Sequence, residues 1–272
     1  MEGHTSSRKR DHLRICCEEA VEQGESGFGD VRLEHNALPE CDLAGIDTAL
    51  RFLGAKMAFP LFIAAMTGGH PDTREVNRRL AAAAERFGIG MGVGSQRAAL
   101  ENPDLEDSFT VVRDAAPHAF LCANLGIVQL RDHGIEWAER AIEMIDADAI
   151  AIHLNFLQEA IQPEGDHDAR GCLQALADLA AELRCPVIVK ETGCGISRDV
   201  ARRLLRAGVQ AIDVAGWGGT SWAAVEGYRQ TDPRRAAIGT AFRSWGIPTV
   251  VSLCEAATDR AGVIVSGGVR SG

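Results

Sequence analysis

The stretch Asp148-Ala149-Ile150-Ala151-Ile152-His153-Leu154-Asn155-Phe156-Leu157-Gln158-Glu159 joins a continuous apolar run to a dense group of polar side chains. The run that ends at Ile152 predicts a strand buried on both faces, as in a parallel sheet. The next seven residues bring an imidazole, two carboxamides and a carboxylate to the point where this strand meets its loop. Because polar groups removed from water need partners, this group is either a capping network before the next helix or part of a ligand site.

The size and composition of the chain fit one globular α/β domain. It has 272 residues, of which 46% are hydrophobic, 24% are charged and 29 are glycine, and single α/β barrels of this length are common. A net charge of −10 argues against nucleic acid or an anionic membrane as the main partner. Eight cysteines without a C-x-x-C pair, together with a polar N-terminus, favour a reduced, cytoplasmic setting.

Apolar runs that resemble the one before His153 recur along the chain, and helical patterns separate them. The predicted strands are Leu61–Ala65, Ile89–Val93, Phe120–Ala123, Ala149–His153, Val187–Val189, Ala211–Val214 and Val263–Val265. The clearest helical patterns are Arg74–Phe87, Ile135–Ile145, Leu173–Leu183 and Asp199–Ala207. Strands and helices in strict alternation predict a parallel sheet. Regular spacing and the lack of a G-x-G-x-x-G turn favour a (β/α)8 TIM barrel over an open doubly wound sheet.

The seven predicted strands are one fewer than a TIM barrel requires. We therefore expect residues 60–272 to form a barrel that is truncated after strand seven, with the eighth unit missing. Residues 1–59 are expected to form an N-terminal extension that packs on the barrel. In that extension, the pattern predicts a short amphipathic helix over Leu13–Val21. Residues 24–56 show no clear period and are expected to form an arm or extension packed against the domain.

Polar or glycine-rich segments follow every predicted strand, and in a barrel these ends meet on one face. Each has a simpler interpretation of its own: Thr67 fits a helix cap, Arg97 a surface charge, and Gly267-Gly268 an ordinary tight turn. Lys190 is different, because a lysine that ends an apolar strand must reach water or bind an anion. Taken together, the ends predict a pocket for phosphate groups, in which the carboxylate of Glu159 is a candidate ligand for Mg²⁺.

In both content and order, these segments resemble the FMN-dependent type 2 isopentenyl-diphosphate isomerases. The similarity covers nearly the whole chain, and its most specific part is H-L-N-x-x-Q-E followed by P-E-G-D. The matching segments are Arg8–His12, Ala65–Gly69, Gly94–Arg97, Ala123–Gly126, His153–Glu159, Pro163–Asp166, Val189–Glu191, Gly218–Trp222 and Gly267–Gly272.

The resemblance implies an isomerase of isoprenoid biosynthesis that interconverts isopentenyl and dimethylallyl diphosphate with reduced FMN and Mg²⁺, while NAD(P)H only primes the flavin. It implies FMN binding by Ala65, Met66, Thr67, Gly68, Ser95, Asn124, Lys190, Thr220, Gly267, Gly268 and Val269. It implies binding of the diphosphate substrate by Arg8, Lys9, Ser95, Gln96, Arg97, His153, Asn155 and Gln158, with Mg²⁺ on Glu159. The catalytic candidates are His153, Gln158, Trp222 and Glu226.

Trp222 and Glu226 lie four residues apart and would share one face of a helix. A core tryptophan and a surface glutamate are the simpler interpretation of this pair. Two other functions also remain open for the chain: a flavin barrel with net redox chemistry, such as a 2-hydroxy-acid oxidase, and an inactive truncated chain that binds phosphates. Those oxidases typically carry a His-x-x-Arg pair near strand seven, and no such pair occurs in the segment that leads to this strand. We also expect a homo-oligomer with a small-molecule partner and no nucleic-acid or membrane partner.

Overall fold

The computed structural model describes residues 4–22, 24–258 and 261–271. Its strands are β1 Leu50–Phe52, β2 Ala55–Met57, β3 Phe62–Ile63, β4 Gly90–Gly92, β5 Leu121–Gly126, β6 Ala149–Leu154, β7 Val187–Glu191, β8 Ala211–Asp213 and β9 Gly262–Ile264. Its α-helices are α1 His4–Glu18, α2 Thr73–Phe87, α3 Arg97–Glu101, α4 Asp107–Ala115, α5 Ile127–His133, α6 Ile135–Ile145, α7 Phe156–Ile161, α8 Cys172–Glu182, α9 Arg198–Arg206, α10 Trp222–Arg229, α11 Pro233–Phe242 and α12 Thr249–Ala256.

Strands β3 to β9 form one parallel sheet in which every strand pairs with its neighbours in sequence. This order, with helices between the strands, is that of a barrel whose edges are β3 and β9 within the described residues. All seven predicted strands are present, and the prediction of an α/β barrel with seven strands is confirmed. Gly272, the last residue of the predicted glycine-rich motif, lies outside the described residues.

Strands β5 and β7 extend into residues that were predicted to be loop. β5 runs to Gly126 and β7 runs to Glu191, so Asn124 and Lys190 lie on paired strands rather than in turns. Pairing continues because the neighbouring strand β6 also runs past its apolar part, to Leu154. Polar residues at these strand ends are therefore fixed by backbone hydrogen bonds on both sides.

The core has two layers because alternate residues of each strand point to opposite faces. In β6, Ile150 and Ile152 pack outward in the large cluster beneath the helices, whereas Ala149 and Ala151 pack in a smaller cluster inside the barrel. All four side chains are nearly or completely buried, and each isoleucine contributes about 2 kcal/mol by burial. This double burial explains why the strand reads as a continuous apolar run rather than as an alternating one.

The N-terminal extension contains a hairpin that the sequence pattern did not reveal. Strands β1 and β2 pair antiparallel through a turn at Leu53 and Gly54, both with positive φ. Phe52 and Leu53 pack on the inner cluster of the barrel, which also holds Phe120. The segment 24–56, which was predicted as an arm packed against the domain, therefore contains strand β1 and contacts the barrel through this hairpin. The division into residues 1–59 and 60–272 stays a prediction.

Helix α1 begins and ends earlier than the predicted helix Leu13–Val21. Beyond Glu18 the chain pairs with another segment, because the amide of Ser221 donates to the carbonyl of Val21 and Glu22 forms an antiparallel bridge with Thr220. These contacts hold the backbone in an extended form and end the helix. Ile15 of α1 and Val21 pack on Val225 and Trp222 of α10, which fixes α1 beside the barrel. None of the helices in the described part of the chain has the length and apolar character needed to span a membrane.

Candidate active site

A cavity lies where the carboxyl ends of β3 to β7 meet α1 and α10. Its wall is rich in polar side chains, and most of the predicted site residues take part in it. The lining residues are Arg8, Lys9, His12, Ala65, Met66, Ser95, Arg97, Asn124, Gln129, His153, Asn155, Gln158, Glu159, Gln162, Lys190, Thr192 and Trp222. Residues from both ends of the chain thus meet at one face of the barrel, as expected for a barrel active site.

A row of residues in register crosses the sheet beside this cavity, and two of them, His153 and Lys190, line it. Gly126, His153, Lys190 and Asp213 are consecutive partners on β5 to β8. The Nδ1 atom of His153 lies 2.8 Å from Oδ1 of Asn124. Burial, with the charge of Lys190 as the next cause, lowers the pKa of His153 to about 3. The imidazole is therefore neutral at physiological pH, and its Nδ1 donates to Asn124 in the corresponding tautomer.

Positively charged side chains of helix α1 and of the first residue of α3 line the cavity. Nη1 of Arg8 donates to Oε1 of Gln162 at 2.8 Å. Burial, aided by the charge of Arg8, lowers the pKa of Lys9 to about 8. Nε of Arg97 donates to Glu101 at 2.7 Å, and its Nη1 lies 3.7 Å from Asp166. Three cations in one polar cavity favour an anionic ligand such as a phosphate or diphosphate.

Glu159 is the one carboxylate among the described residues that line the cavity. Its Oε1 accepts a hydrogen bond from Nδ2 of Asn155 at 2.8 Å, and its Oε2 accepts one from the amide of Asp166 at 2.9 Å. Each carboxylate oxygen keeps a further lone pair. In the described residues, no group of three or more His, Cys, Asp or Glu side chains has a metal-binding arrangement. The donor set fits Mg²⁺, which commonly takes one or two protein carboxylates with water and phosphate oxygens.

Glu226 lies behind the cavity wall and not on it. Its side chain has no exposed surface, and it accepts hydrogen bonds from His12, Gln158 and Arg229 at 2.9, 2.8 and 2.6 Å. Burial alone would raise the pKa of Glu226, but these donors outweigh burial and hold the pKa below its usual value. Because it does not border the cavity, the expected direct catalytic role does not match its position, and we propose instead that it positions Gln158.

Trp222 borders the cavity and contacts α1. Its ring makes an edge-on contact with the ring of His12, at 4.9 Å between centroids. Four residues along α10, Glu226 reaches the same histidine. The two residues do share a helix face, as predicted, and that face is turned toward the N-terminal helix. The interpretation of Glu226 as a surface residue is excluded by its burial.

Among the predicted ligand residues, Gln96 and Thr220 do not line this cavity. Gln96 is fully buried; its amide nitrogen donates to the carbonyl of Ala141 at 2.7 Å, and its Oε1 accepts from the backbone of Asn124 at 2.9 Å. It supports the strand that carries Asn124, so direct contact with substrate does not match this position. Thr220 pairs with Glu22 instead of lining the cavity.

The predicted flavin-binding residues divide between cavities. Ala65, Met66, Ser95, Asn124 and Lys190 line the cavity described above, whereas Thr67 and Gly68 line an adjoining cavity that shares Lys9, His12, Met66 and Trp222 with it. The loop residues Gly267, Gly268 and Val269 border a third cavity, between β3 and β9.

The close approach of two loops explains the glycine at position 267. A Cβ atom on Gly267 would overlap the carbonyl oxygen of Gly216, and its φ of +102° is in the left-handed region. Thr249 donates from Oγ1 to the carbonyl of Gly267 at 2.7 Å. The loop is thus held tightly, with backbone groups facing the cavity between β3 and β9, and this fits a phosphate-binding segment.

Sequence reasoning missed four residues of the cavity wall: His12, Gln129, Gln162 and Thr192. Two of them had a usable signal. His12 lies three residues after Lys9 and four after Arg8, which places all three on one helix face. Gln162 lies four residues after Gln158 at the end of α7, so it points to the same side. Gln129 and Thr192 had no such signal, because their positions depend on how the loops fold.

A parallel barrel with a polar cavity at its carboxyl face is typical of a barrel enzyme, and the cations of this cavity favour an anionic ligand. A family model described as FMN-dependent dehydrogenase matches residues 13–114. Proteins named isopentenyl-diphosphate delta-isomerase are similar over 98% of this chain. That of Methanoregula boonei is 67% identical with 76% of its length covered, that of Archaeoglobus fulgidus 56% identical with 77% covered, and that of Halobacterium salinarum 56% identical with 76% covered.

The chain therefore belongs to the isopentenyl-diphosphate delta-isomerase family, and the match to FMN-dependent dehydrogenases supports the FMN-dependent type. The resemblance noted from the motifs is confirmed by these relatives. Their similarity runs through both the N-terminal helix and the barrel, so it includes every segment that lines the cavity.

Proposed function

We propose that this chain interconverts isopentenyl diphosphate and dimethylallyl diphosphate with reduced FMN and Mg²⁺. The observation that carries the proposal is the convergence of Arg8 and Lys9 from α1 with Glu159 and Gln158 from the loop after β6, in one cavity. A diphosphate needs several cations and a metal ion, and an alkene needs an apolar wall. The cavity offers both, since Trp222 and Met66 face the same space.

The diphosphate binds at the side of the cavity that holds Arg8, Lys9 and Arg97. Arginine presents paired donors to phosphate oxygens, and lysine supplies a compact charge. Glu159 would hold Mg²⁺ against the same phosphate oxygens, and it is oriented by Asn155 and by the amide of Asp166. The neutral His153 supplies one further donor or acceptor without adding charge. These contacts hold the substrate in one direction, with its alkene toward Trp222.

FMN would rest against Ala65 and Met66, with Lys190 near its ring and the segment Gly267–Val269 near its phosphate. When bound in reduced form, it would supply the acid–base group that adds a proton to the alkene and accepts one from the neighbouring carbon. NAD(P)H would only prime the flavin, so the reaction has no net redox change. Lys190 is buried, and a buried charge is costly without a partner. This cost favours an anionic or electron-rich group beside Lys190.

The alkene end needs groups that tolerate positive charge. Trp222 presents an aromatic ring, whose face attracts cations, and Gln158 presents a carboxamide held by Glu226 at 2.8 Å. Gln158 is therefore fixed in one rotamer beside the substrate, where its carboxamide can orient a water molecule by hydrogen bonds. We propose His153, Gln158 and Trp222 as the residues that touch substrate during the reaction. In the cell, this activity would serve isoprenoid biosynthesis in the cytoplasm, with the chain as a homo-oligomer.

The proposal is tested by a turnover assay with isopentenyl diphosphate, FMN, Mg²⁺ and dithionite under anaerobic conditions. The expected result is formation of dimethylallyl diphosphate with no reductant consumed beyond the amount that reduces FMN. Consumption of reductant without isomerisation would support the alternative of net redox chemistry, as in a 2-hydroxy-acid oxidase. Binding of FMN or diphosphate without turnover would support a chain that binds phosphates but is inactive. A matched reaction with oxidised FMN serves as the control.

A further inference from the structure

The buried pair Lys190 and Asp213 lies at the junction of two cavities. Lys190 lines the cavity proposed for substrate and flavin ring, whereas Asp213 lines the cavity between β3 and β9, which is also bordered by Ser266 and Gly267. Both side chains are more than nine-tenths buried. The two residues are register partners on adjacent parallel strands, so their side chains point to the same face of the sheet.

Asp213 also contacts the start of the glycine loop. Oγ of Ser266 donates to Oδ1 of Asp213 at 2.5 Å, and the amide of Ala215 donates to the same oxygen at 3.2 Å. Ser266 directly precedes Gly267, whose backbone is clamped against Gly216. Asp213 is therefore the strand neighbour of Lys190 and a hydrogen-bond partner of the residue that begins the glycine loop.

We propose that Asp213 is a positioning residue that joins the two halves of the FMN site, as the counter-charge of Lys190 and as the hydrogen-bond acceptor for Ser266. This inference rests on the proposed function, because it places FMN across both cavities. The proposed function gives Asp213 no part. A buried carboxylate without a counter-charge and hydrogen-bond donors would be costly.

Electrostatics support the pairing. Burial lowers the pKa of Lys190, and the charge of Asp213, with a smaller contribution from Glu191, opposes that lowering. Burial raises the pKa of Asp213, and the charge of Lys190, with the hydrogen bond from Ser266, opposes that rise. Each charge thus preserves the other, and removal of Asp213 pushes Lys190 toward its neutral form. Loss of a cation beside the flavin ring disfavours the negative charge that the ring gains on reduction.

The first test measures FMN affinity and the midpoint potential of bound FMN in Asp213→Asn and in the matched variant Ser266→Ala. Asp213→Asn should make two-electron reduction about tenfold less favourable, which is about 30 mV more negative. Ser266→Ala keeps both charges, so it should weaken FMN binding and leave the potential unchanged. If Asp213 acted only through its own negative charge and not through Lys190, its removal would make the potential more positive. A more positive potential or an unchanged one would overturn the inference.

The second test needs no flavin and addresses a variant that folds poorly. Lys190→Met leaves Asp213 buried without its counter-charge, whereas the double variant Lys190→Met/Asp213→Asn carries neither charge. The double variant should therefore resist urea better than Lys190→Met alone. The reverse order of stability would overturn the pairing. Failure of the wild-type chain to bind FMN would instead contradict the proposed function, so the two failures are distinguishable.

Discussion

Replacement of Glu226 by glutamine is the sharpest test of the arrangement behind the cavity. The carboxylate has no exposed surface and accepts from His12, Gln158 and Arg229. A glutamine of the same size keeps one acceptor oxygen. Its amide nitrogen, however, is a hydrogen-bond donor and would face the donor groups of these partners. Breaking one partner of a buried charged pair costs about 3–5 kcal/mol. The lower figure applies here, because Arg229 keeps its second carboxylate, Glu164, at 2.9 Å.

We therefore expect Glu226→Gln to lower the free energy of unfolding by about 3 kcal/mol, measured by equilibrium urea denaturation at pH 7. The matched control is Glu164→Gln, which removes the other partner of Arg229 at a side chain that is 41% exposed. Ion pairs of that exposure contribute about 1 kcal/mol or less. Equal losses in the two variants would refute the reasoning, since they would show that burial of Glu226 adds nothing.

The pH dependence of the same variant gives an independent check. The pKa of Glu226 is lowered in the folded chain, so its stabilising contribution is present above the pKa of an unfolded glutamate, about 4.3, and is lost as pH falls through the folded pKa. The difference between wild type and Glu226→Gln should accordingly shrink at acid pH. At pH 7, kcat should also fall by about 100-fold with FMN affinity unchanged, because a neutral amide replaces the carboxylate that orients Gln158.

Three further changes test the cavity itself. Glu159→Gln should abolish Mg²⁺-dependent isomerisation in a metal titration and spare FMN binding; an equal loss of FMN affinity would assign this loop to the flavin. Because the pKa of Lys9 is lowered to about 8, its cation is lost above that pH and kcat/KM should decline there, whereas Lys9→Arg should flatten the profile between pH 7 and 9.5. Gly267→Ala should weaken FMN binding in a fluorescence titration by at least tenfold, since its Cβ would overlap Gly216, while the control Gly54→Ala, also at positive φ but with open space around it, should not.

Much of the barrel was predictable because burial on both strand faces leaves a strong pattern. The continuous apolar run before His153 and its counterparts gave all seven strands of the sheet. The hairpin β1–β2 was not predictable, since its three-residue strands owe their pairing to Phe52 and Leu53 packing inside the barrel. The bounds of helix α1 were predicted wrongly for a related reason. Its polar side faces a cavity, so the helix lacks the apolar stripe that marks a surface helix.

The site shows the same limit at the level of single residues. Strand-end positions identified His153, Lys190 and Asn124, because in a barrel these ends must meet. The same logic placed Gln96 in the site, but it does not specify which way a side chain points after the strand ends. Gln96 turns inward to Ala141 and the backbone of Asn124, a choice that depends on packing between α3 and α6.

The hydrogen bonds within the cavity indicate how the site is kept ready for an anion. Arg8 is held by the neutral carboxamide of Gln162, and Arg97 by Glu101, which lies on the same short helix. Exchange of a carboxamide or a partly exposed carboxylate for a diphosphate costs little, because neither partner is left as a buried charge. The fully buried carboxylate, Glu226, instead binds His12 and Gln158, which have no formal charge to offer the ligand, and Arg229, which does not line the cavity. The groups that orient the substrate are thus fixed by a buried carboxylate. The cations that bind the substrate are held by partners that a diphosphate replaces easily.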